Sequence, residues 1–118
     1  ICTAPLPPQP EKQIQSNAFK EMKQHAIFIN IGRGAIVDET ALVEALRNKD
    51  ILGCGLDVLR QEPIDMNHPL LKFDNVVIVP HIGSASRLTR DRMVQLCVNN
   101  IVAVLNKQLP ITPVKVNN

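Results

Sequence analysis

Four side chains that can exchange protons or bind anions each lie just beyond an apolar run in this sequence. Arg33 follows the first run, and His81 follows the third. Asp57 and Glu62 both follow the second. In an open parallel sheet, ligands bind outside the carboxyl ends of the strands. A cation, two carboxylates and an imidazole at three successive strand ends therefore predict an acid–base site for an anionic substrate.

Arg33 lies between Gly32 and Gly34, and glycine lets the backbone turn sharply and approach a ligand closely. A guanidinium held there could grip a carboxylate through two parallel hydrogen bonds. From this segment alone, an exposed turn arginine is an equally good interpretation. The glycines do not form a dinucleotide fingerprint, because Val37 stands where the third glycine should be. Any pyrophosphate loop is therefore expected upstream of Ile1.

The remaining three groups also have structural interpretations. Asp57 could cap a turn, which is the more common role for a single aspartate there, or accept hydrogen bonds from a ligand amide. Glu62 precedes Pro63, a pattern typical of a solvated loop charge. A single histidine such as His81 is more often a structural hydrogen-bonding residue, but a nearby carboxylate would favour its protonated, proton-donating form. Glu62 is the best candidate for that partner.

Alternating strand and helix signals organise the chain around these groups. The first predicted elements are a helix over 18–24 capped by Ser16 or Asn17, a strand over 26–31, and a helix capped by Asp38 with an apolar stripe of Leu42, Ala45 and Leu46. A strand over 51–58, a loop over 59–69 and a strand over 76–79 follow. The last element is a helix from 84–87 to about 106, on which six apolar residues share a face at helical spacing: Met93, Leu96, Cys97, Ile101, Val104 and Leu105. Prolines exclude regular structure over 4–10. This order predicts a parallel α/β sheet with right-handed crossovers.

The composition excludes several classes of function. The 118 residues suffice for one domain, and 45% hydrophobic with 20% charged residues is an ordinary globular balance. A net charge of +2 and the absence of Trp and Tyr argue against nucleic-acid and anionic-membrane partners. No apolar run approaches the roughly 20 residues of a bilayer span. Three dispersed cysteines indicate a reduced, cytoplasmic protein, and the histidine and cysteine spacing predicts no metal site.

Four motifs resemble the D-isomer-specific 2-hydroxyacid dehydrogenases, most closely the glyoxylate/hydroxypyruvate reductases. They are FINIGRGAIVD at 28–38, GLDV with EP at 55–63, NHPLL at 67–71 and PHIGSA at 80–85. The likeness extends from about Phe19 to Leu109. It implies the second half of a Rossmann-like nucleotide-binding domain with a C-terminal helix, formed by residues 1–109 and followed by a tail at 110–118. Because the chain opens on Ile1, we expect it to be the C-terminal part of a longer protein.

The resemblance also implies roles for the residues singled out above. In that family, a hydride passes from NAD(P)H to C2 of a 2-oxo acid. Arg33 matches the arginine that binds the substrate carboxylate and carbonyl, and His81 matches the proton donor. Glu62 matches the glutamate that pairs with that histidine. The catalytic residues are therefore expected to be Arg33, Glu62 and His81.

The cofactor is expected to be NAD or NADP, with Ile31, Asp57 and Gly83 near its nicotinamide carboxamide and Ser84 beside the substrate. The full-length protein is expected to be a homodimer, and these 118 residues alone are expected to be inactive. One departure is Pro5-Leu6-Pro7-Pro8, which stands where the family has Leu-Thr-Pro and puts a cofactor contact there in doubt.

Two other members of the fold give alternatives. A corepressor of the C-terminal-binding type keeps the same three residues but acts through dinucleotide-sensitive assembly, although nothing in this chain resembles a partner-recruiting tail. Formate dehydrogenases pair their histidine with glutamine, so Glu62 argues against that branch.

Overall fold

Three parallel strands form one sheet in a computed structural model of the protein, which describes residues 1–5 and 12–114. The elements are α1 (Ser16–Lys20), β1 (Ile27–Asn30), α2 (Glu39–Arg47), β2 (Gly53–Leu56), β3 (Val76–Ile78) and α3 (Arg87–Leu105), with short 3₁₀ helices at Gly34–Ile36 and Pro69–Lys72. The parallel α/β class predicted from the sequence is confirmed. Most of the proline-rich stretch lies outside the described residues.

The strand order β1-β2-β3 follows the chain order, and all neighbours are parallel. Asn30 at the end of β1 pairs with Leu56, which in turn pairs with Ile78 near the end of β3. The carboxyl ends of the three strands therefore meet at one edge of the sheet. Cys2, which belongs to no strand, forms an isolated parallel β-bridge with Asn30 of β1.

Helix α2 contributes five buried residues to the hydrophobic core. Its N-cap is Asp38, whose Oδ1 accepts hydrogen bonds from the backbone N–H groups of Thr40 (3.1 Å) and Ala41 (3.4 Å), as predicted. The predicted apolar stripe of Leu42, Ala45 and Leu46 is buried. These side chains pack with Phe19, Phe28, Cys54, Leu56 and Leu70 in one hydrophobic core.

The predicted bounds of α1 are wrong. Ser16 and Asn17 lie inside the helix, and its N-cap is Gln15, which makes no side-chain capping bond. The reason is a tertiary contact, since Ile14 bridges Val37 and its carbonyl accepts the N–H of Asp38 (2.9 Å). That pairing sets where the extended segment stops, and it overrides the local capping preference.

The chain divides into two compact units, Ile1–Ile82 and Gly83–Asn118. In the second, Ser86 caps α3 by accepting the N–H of Thr89 (3.2 Å), close to the predicted start. No side chain of this helix is buried in the chain, including those that share the apolar face identified from the sequence. Nothing within residues 1–5 and 12–114 forms a helix with the length and apolar character of a membrane span.

Candidate active site

The structure brings His81 and Glu62 together at the carboxyl edge of the sheet. His81 Nδ1 lies 2.8 Å from Glu62 Oε2. A carboxylate only accepts hydrogen bonds, so Nδ1 carries the hydrogen and donates it to Glu62. The other ring nitrogen, Nε2, is then the one that can present a proton to a ligand. Both side chains are partly exposed, as a site for a soluble ligand requires.

Glu62 is also held by its own loop. Its Oε1 accepts the backbone N–H of Leu59 at 2.9 Å. This bond, followed by the hydrogen bond from His81, lowers the pKa of the Glu62 carboxyl below its ordinary value. Glu62 is therefore ionised at neutral pH and presents a negative charge to the imidazole beside it.

The backbone at His81 adopts an uncommon conformation, with φ at 53°. This left-handed region costs a non-glycine residue roughly 1–2 kcal/mol. Two backbone bonds hold it, from His81 N–H to the Val79 carbonyl (3.0 Å) and from Ile82 N–H to Asp57 Oδ1 (2.6 Å). Asp57 is only 7% exposed. The aspartate at the end of β2 thus anchors the turn that carries the imidazole.

Arg33 lies in the turn after β1, and its Nη1 donates to the Gly32 carbonyl (2.9 Å). Asn30, which is 1% exposed, stabilises this turn. Its Oδ1 accepts the N–H of Gly32 and its Nδ2 donates to the Arg33 carbonyl, both at 3.1 Å. The sequence analysis missed Asn30, although an amide at the last position of an apolar strand was a usable signal. Within the described chain, no hydrogen bond or ion pair joins Arg33 to Glu62.

The turns after β1 and β2 nevertheless lie against each other. A Cβ placed on Gly34 would stand 1.9 Å from the backbone carbon of Leu59 and 2.4 Å from the nitrogen of Arg60. Only glycine allows this approach. The turn that carries Arg33 therefore touches the start of the loop that carries Glu62.

Of the predicted cofactor contacts, Ile31 and Asp57 lie side by side. They follow the paired residues Asn30 and Leu56, and the Asp57 N–H donates to the Asn30 carbonyl at 2.9 Å. The Ile31 side chain is 51% exposed, beside a buried carboxylate. An apolar surface next to a hydrogen-bond acceptor fits the ring and carboxamide of a nicotinamide. Gly83, like Ser84, belongs to the second unit.

A cavity of about 480 Å³ opens beside the His81–Glu62 pair. Its other walls are mainly apolar and include Leu59, Ile64 and Leu71. Apolar walls lower the local dielectric constant and strengthen charge–charge interactions inside the cavity. Among residues 1–5 and 12–114, no cluster of three or more histidine, cysteine or acidic side chains could hold a metal ion.

Comparison with known proteins gives a consistent match. Residues 1–83 match the family described as D-isomer specific 2-hydroxyacid dehydrogenase, NAD binding domain. A glyoxylate reductase from Thermofilum pendens is 46% identical over 106 residues, which cover 90% of this chain and 31% of the relative.

Two solved structures are also similar. An NADPH-dependent glyoxylate/hydroxypyruvate reductase from Sinorhizobium meliloti, in complex with NADP and malonate, is 42% identical with a TM-score of 0.80, covering 87% of this chain and 32% of that one. D-lactate dehydrogenase from Lactobacillus jensenii, with NAD+, is 29% identical with a TM-score of 0.85, covering 96% and 38%. The chain thus spans about a third of the length of the curated relatives it matches.

Proposed function

The chain belongs to the D-isomer-specific 2-hydroxyacid dehydrogenase family, and we propose that the whole protein reduces a small 2-oxo acid with NADH or NADPH. The similar proteins named as glyoxylate and hydroxypyruvate reductases support glyoxylate or hydroxypyruvate as the substrate class. Residues 1–109 would form the second half of the cofactor-binding domain, with 110–118 as a tail. A cytoplasmic homodimer remains our expectation for the full-length protein.

The single observation that supports this proposal best is the His81–Glu62 pair, with 2.8 Å between Nδ1 and Oε2. Reduction of a carbonyl creates negative charge on its oxygen, which must receive a proton. His81 Nε2 donates that proton, and the ionised Glu62 stabilises the imidazolium before transfer and orients the ring. Asp57 keeps the turn in place through its bond to the N–H of Ile82.

Arg33 has the complementary role of binding the anion. Its guanidinium can bind the substrate carboxylate through parallel hydrogen bonds, which orients the 2-oxo group toward the proton donor. One donor of Nη1 is used by the Gly32 carbonyl, and a guanidinium has four further N–H donors. We place Ser84 beside the substrate on the strength of the family motif alone.

The cofactor contributes the hydride when it is bound. In this chain, the exposed Ile31 side chain would pack against the nicotinamide ring, and the carboxylate of Asp57 would accept from the carboxamide. Gly83 would add a backbone contact. These residues hold only the nicotinamide end, so they do not discriminate NAD from NADP.

Substitutions in the full-length protein, assayed with glyoxylate and hydroxypyruvate, test the proposal. His81→Ala should lower kcat by about 10²- to 10⁴-fold, the usual contribution of a general acid, with cofactor affinity nearly unchanged. His25→Ala removes an exposed imidazole elsewhere and is the matched control. A His81→Ala protein that turns over like the wild type would rule out the assigned proton donor.

Two further variants separate the roles of the other residues. Arg33→Ala should raise KM for the 2-oxo acid and lower kcat together, because the arginine both binds the substrate carboxylate and orients the 2-oxo group toward the proton donor. Glu62→Gln should lower kcat, since the imidazolium loses its charged partner. A protein that binds the dinucleotide tightly but reduces no 2-oxo acid would favour the corepressor alternative.

A further inference from the structure

A second carboxylate, Glu39, contacts both ends of the loop that carries Glu62. Glu39 is the first residue of α2, next to the Asp38 cap. Its Oε1 accepts the backbone N–H of Arg60 at 2.7 Å, and its Oε2 lies 3.4 Å from His68 Nε2. One side chain on the helix thus fixes the loop on either side of Glu62.

The tautomer of His68 supports this arrangement. Its Nδ1 accepts the backbone N–H of Leu70 at 3.3 Å. A nitrogen that accepts carries no hydrogen, so the hydrogen of the neutral ring lies on Nε2 and points to Glu39. His68 also caps the 3₁₀ helix Pro69–Lys72, which includes the buried Leu70. Glu39 therefore connects the loop to the hydrophobic core as well as to α2.

Burial adds to the strength of these contacts. The side chains of Glu39 and His68 are only 18% and 23% exposed. A hydrogen bond to a charged acceptor contributes more to stability than a neutral one, and partial exclusion of water reduces screening. Between its two ends the loop is held mainly by local bonds, such as the one from Leu59 N–H to Glu62 Oε1. Loss of Glu39 would release both ends at once.

We propose that Glu39, acting with His68, is a positioning residue that holds Glu62 at hydrogen-bonding distance from His81. This inference rests on the proposed function, in which Glu62 and His81 act as a pair. Glu39 does not contact the substrate in this assignment. Its effect reaches the reaction through the placement of the loop, with Arg60 and His68 as its two points of attachment.

The test measures the His81–Glu62 bond directly, without substrate. In this chain labelled with ¹⁵N-histidine, the Nδ1–H cross-peak of His81 should be protected from exchange by the bond to Glu62. Glu62→Ala sets the result expected when the acceptor is removed. Glu39→Ala should weaken the cross-peak nearly as much, and His68→Ala, which removes one attachment, should weaken it less. His68→Gln retains a donor toward Glu39 and should restore much of the signal.

Glu44→Ala is the matched control, because Glu44 is an exposed carboxylate on the same helix and should leave the cross-peak unchanged. If Glu39→Ala does not fold, the proposal is tested by comparing the His81 cross-peak in His68→Ala and His68→Gln. In the full-length protein, a folded Glu39→Ala variant should lower kcat roughly 10- to 100-fold with little change in KM for the 2-oxo acid.

The possible failures are distinguishable. If Glu62→Ala leaves the His81 cross-peak intact, the pairing itself is wrong, and the proposed function loses its main support together with this inference. If Glu62→Ala removes the cross-peak while the folded Glu39 and His68 variants retain it, the positioning role alone is wrong. Equal weakening of the cross-peak by Glu44→Ala would also overturn the positioning role, because the effect would then not be specific to Glu39.

Discussion

Replacing Gly34 by alanine tests whether the turns after β1 and β2 depend on close backbone contact. The added Cβ would lie 1.9 Å from the Leu59 carbonyl carbon, 2.1 Å from its oxygen and 2.4 Å from the Arg60 nitrogen. Carbon atoms in contact are about 3.5–4.0 Å apart, so the neighbouring backbone must move by roughly 1.5 Å or more. Gly34 does not have a positive φ. The cost therefore comes from the contact and not from the conformation of residue 34.

The expected loss of stability is about 3 kcal/mol, the upper part of the range for overpacking, because the opposing atoms are backbone and cannot change rotamer. With a urea m-value of about 1.5 kcal/mol/M, this lowers the unfolding midpoint by about 2 M. The methyl resonances of Leu42 and Leu70 report on the core of the first unit and can be followed through urea. The same displacement should weaken the Nδ1–H cross-peak of His81, since Leu59 donates to Glu62.

Gly55→Ala is the matched control. A Cβ at Gly55 meets only Ile29 Cγ1, at 3.9 Å, which is an ordinary contact. Because glycine inside a strand is less favourable than alanine, this change should be neutral or stabilise by up to about 1 kcal/mol. The reasoning is refuted if Gly34→Ala unfolds within about 0.5 M of the wild type, or if Gly55→Ala loses as much stability as Gly34→Ala.

Three further predictions use other features of the first unit and one exposed thiol. Asp38→Ala should cost about 1 kcal/mol of unfolding free energy at neutral pH through loss of the N-cap. Because the hydrogen bond from Lys12 lowers the pKa of Asp38, the stability advantage of the wild type should be complete above about pH 4 and disappear as the pH falls through the lowered pKa. A difference in urea midpoint that stays constant down to pH 2 would contradict this. Burial raises the pKa of the Cys54 thiol to about 11, so a disulfide reagent at pH 8 should modify the exposed Cys97 quickly and Cys54 only on unfolding. Mass mapping of the two sites measures their modification rates, and equal rates would be inconsistent with a buried Cys54. Asn30→Ala should lower the free energy of unfolding in urea by roughly 2 kcal/mol or more, because a buried amide with two backbone partners is lost. In the full-length protein, the same change should raise KM for the 2-oxo acid. An unchanged KM would show that the turn does not need Asn30 to place Arg33.

Local patterns were sufficient for the parallel sheet and for helix α2. The apolar runs around β1, β2 and β3 follow each other with a helix signal between the first two, and Asp38 with its apolar stripe marks α2 unambiguously. The sequence analysis overestimated β2, because hydrophobicity continues to Val58 while pairing is limited by the four residues of β1. Strand length depends on the partner as well as on the strand itself.

Helix α3 shows the complementary limit. Its start and end follow from the Ser86 cap and the prolines beyond Leu109, and both were predicted well. Its apolar positions share one face at helical spacing, but none of them is buried in this chain. Periodicity indicates which side of a helix prefers to be covered, and it contains no information on what covers it.

The sequence by itself determined the fold class, the family and the four residue types at three strand ends, since these depend on neighbours in the chain and on motifs at fixed spacing. Only the tertiary structure decided how closely His81 and Glu62 approach, how Asp57 and Asn30 stabilise the two turns, and that Glu39 ties the loop of Glu62 to α2. These contacts join residues separated by 19 to 29 positions, apart from the local bonds of Asn30. With 11 acidic residues in the chain, spacing alone does not select a partner, because side chains distant in sequence meet only where the sheet and its loops bring them together.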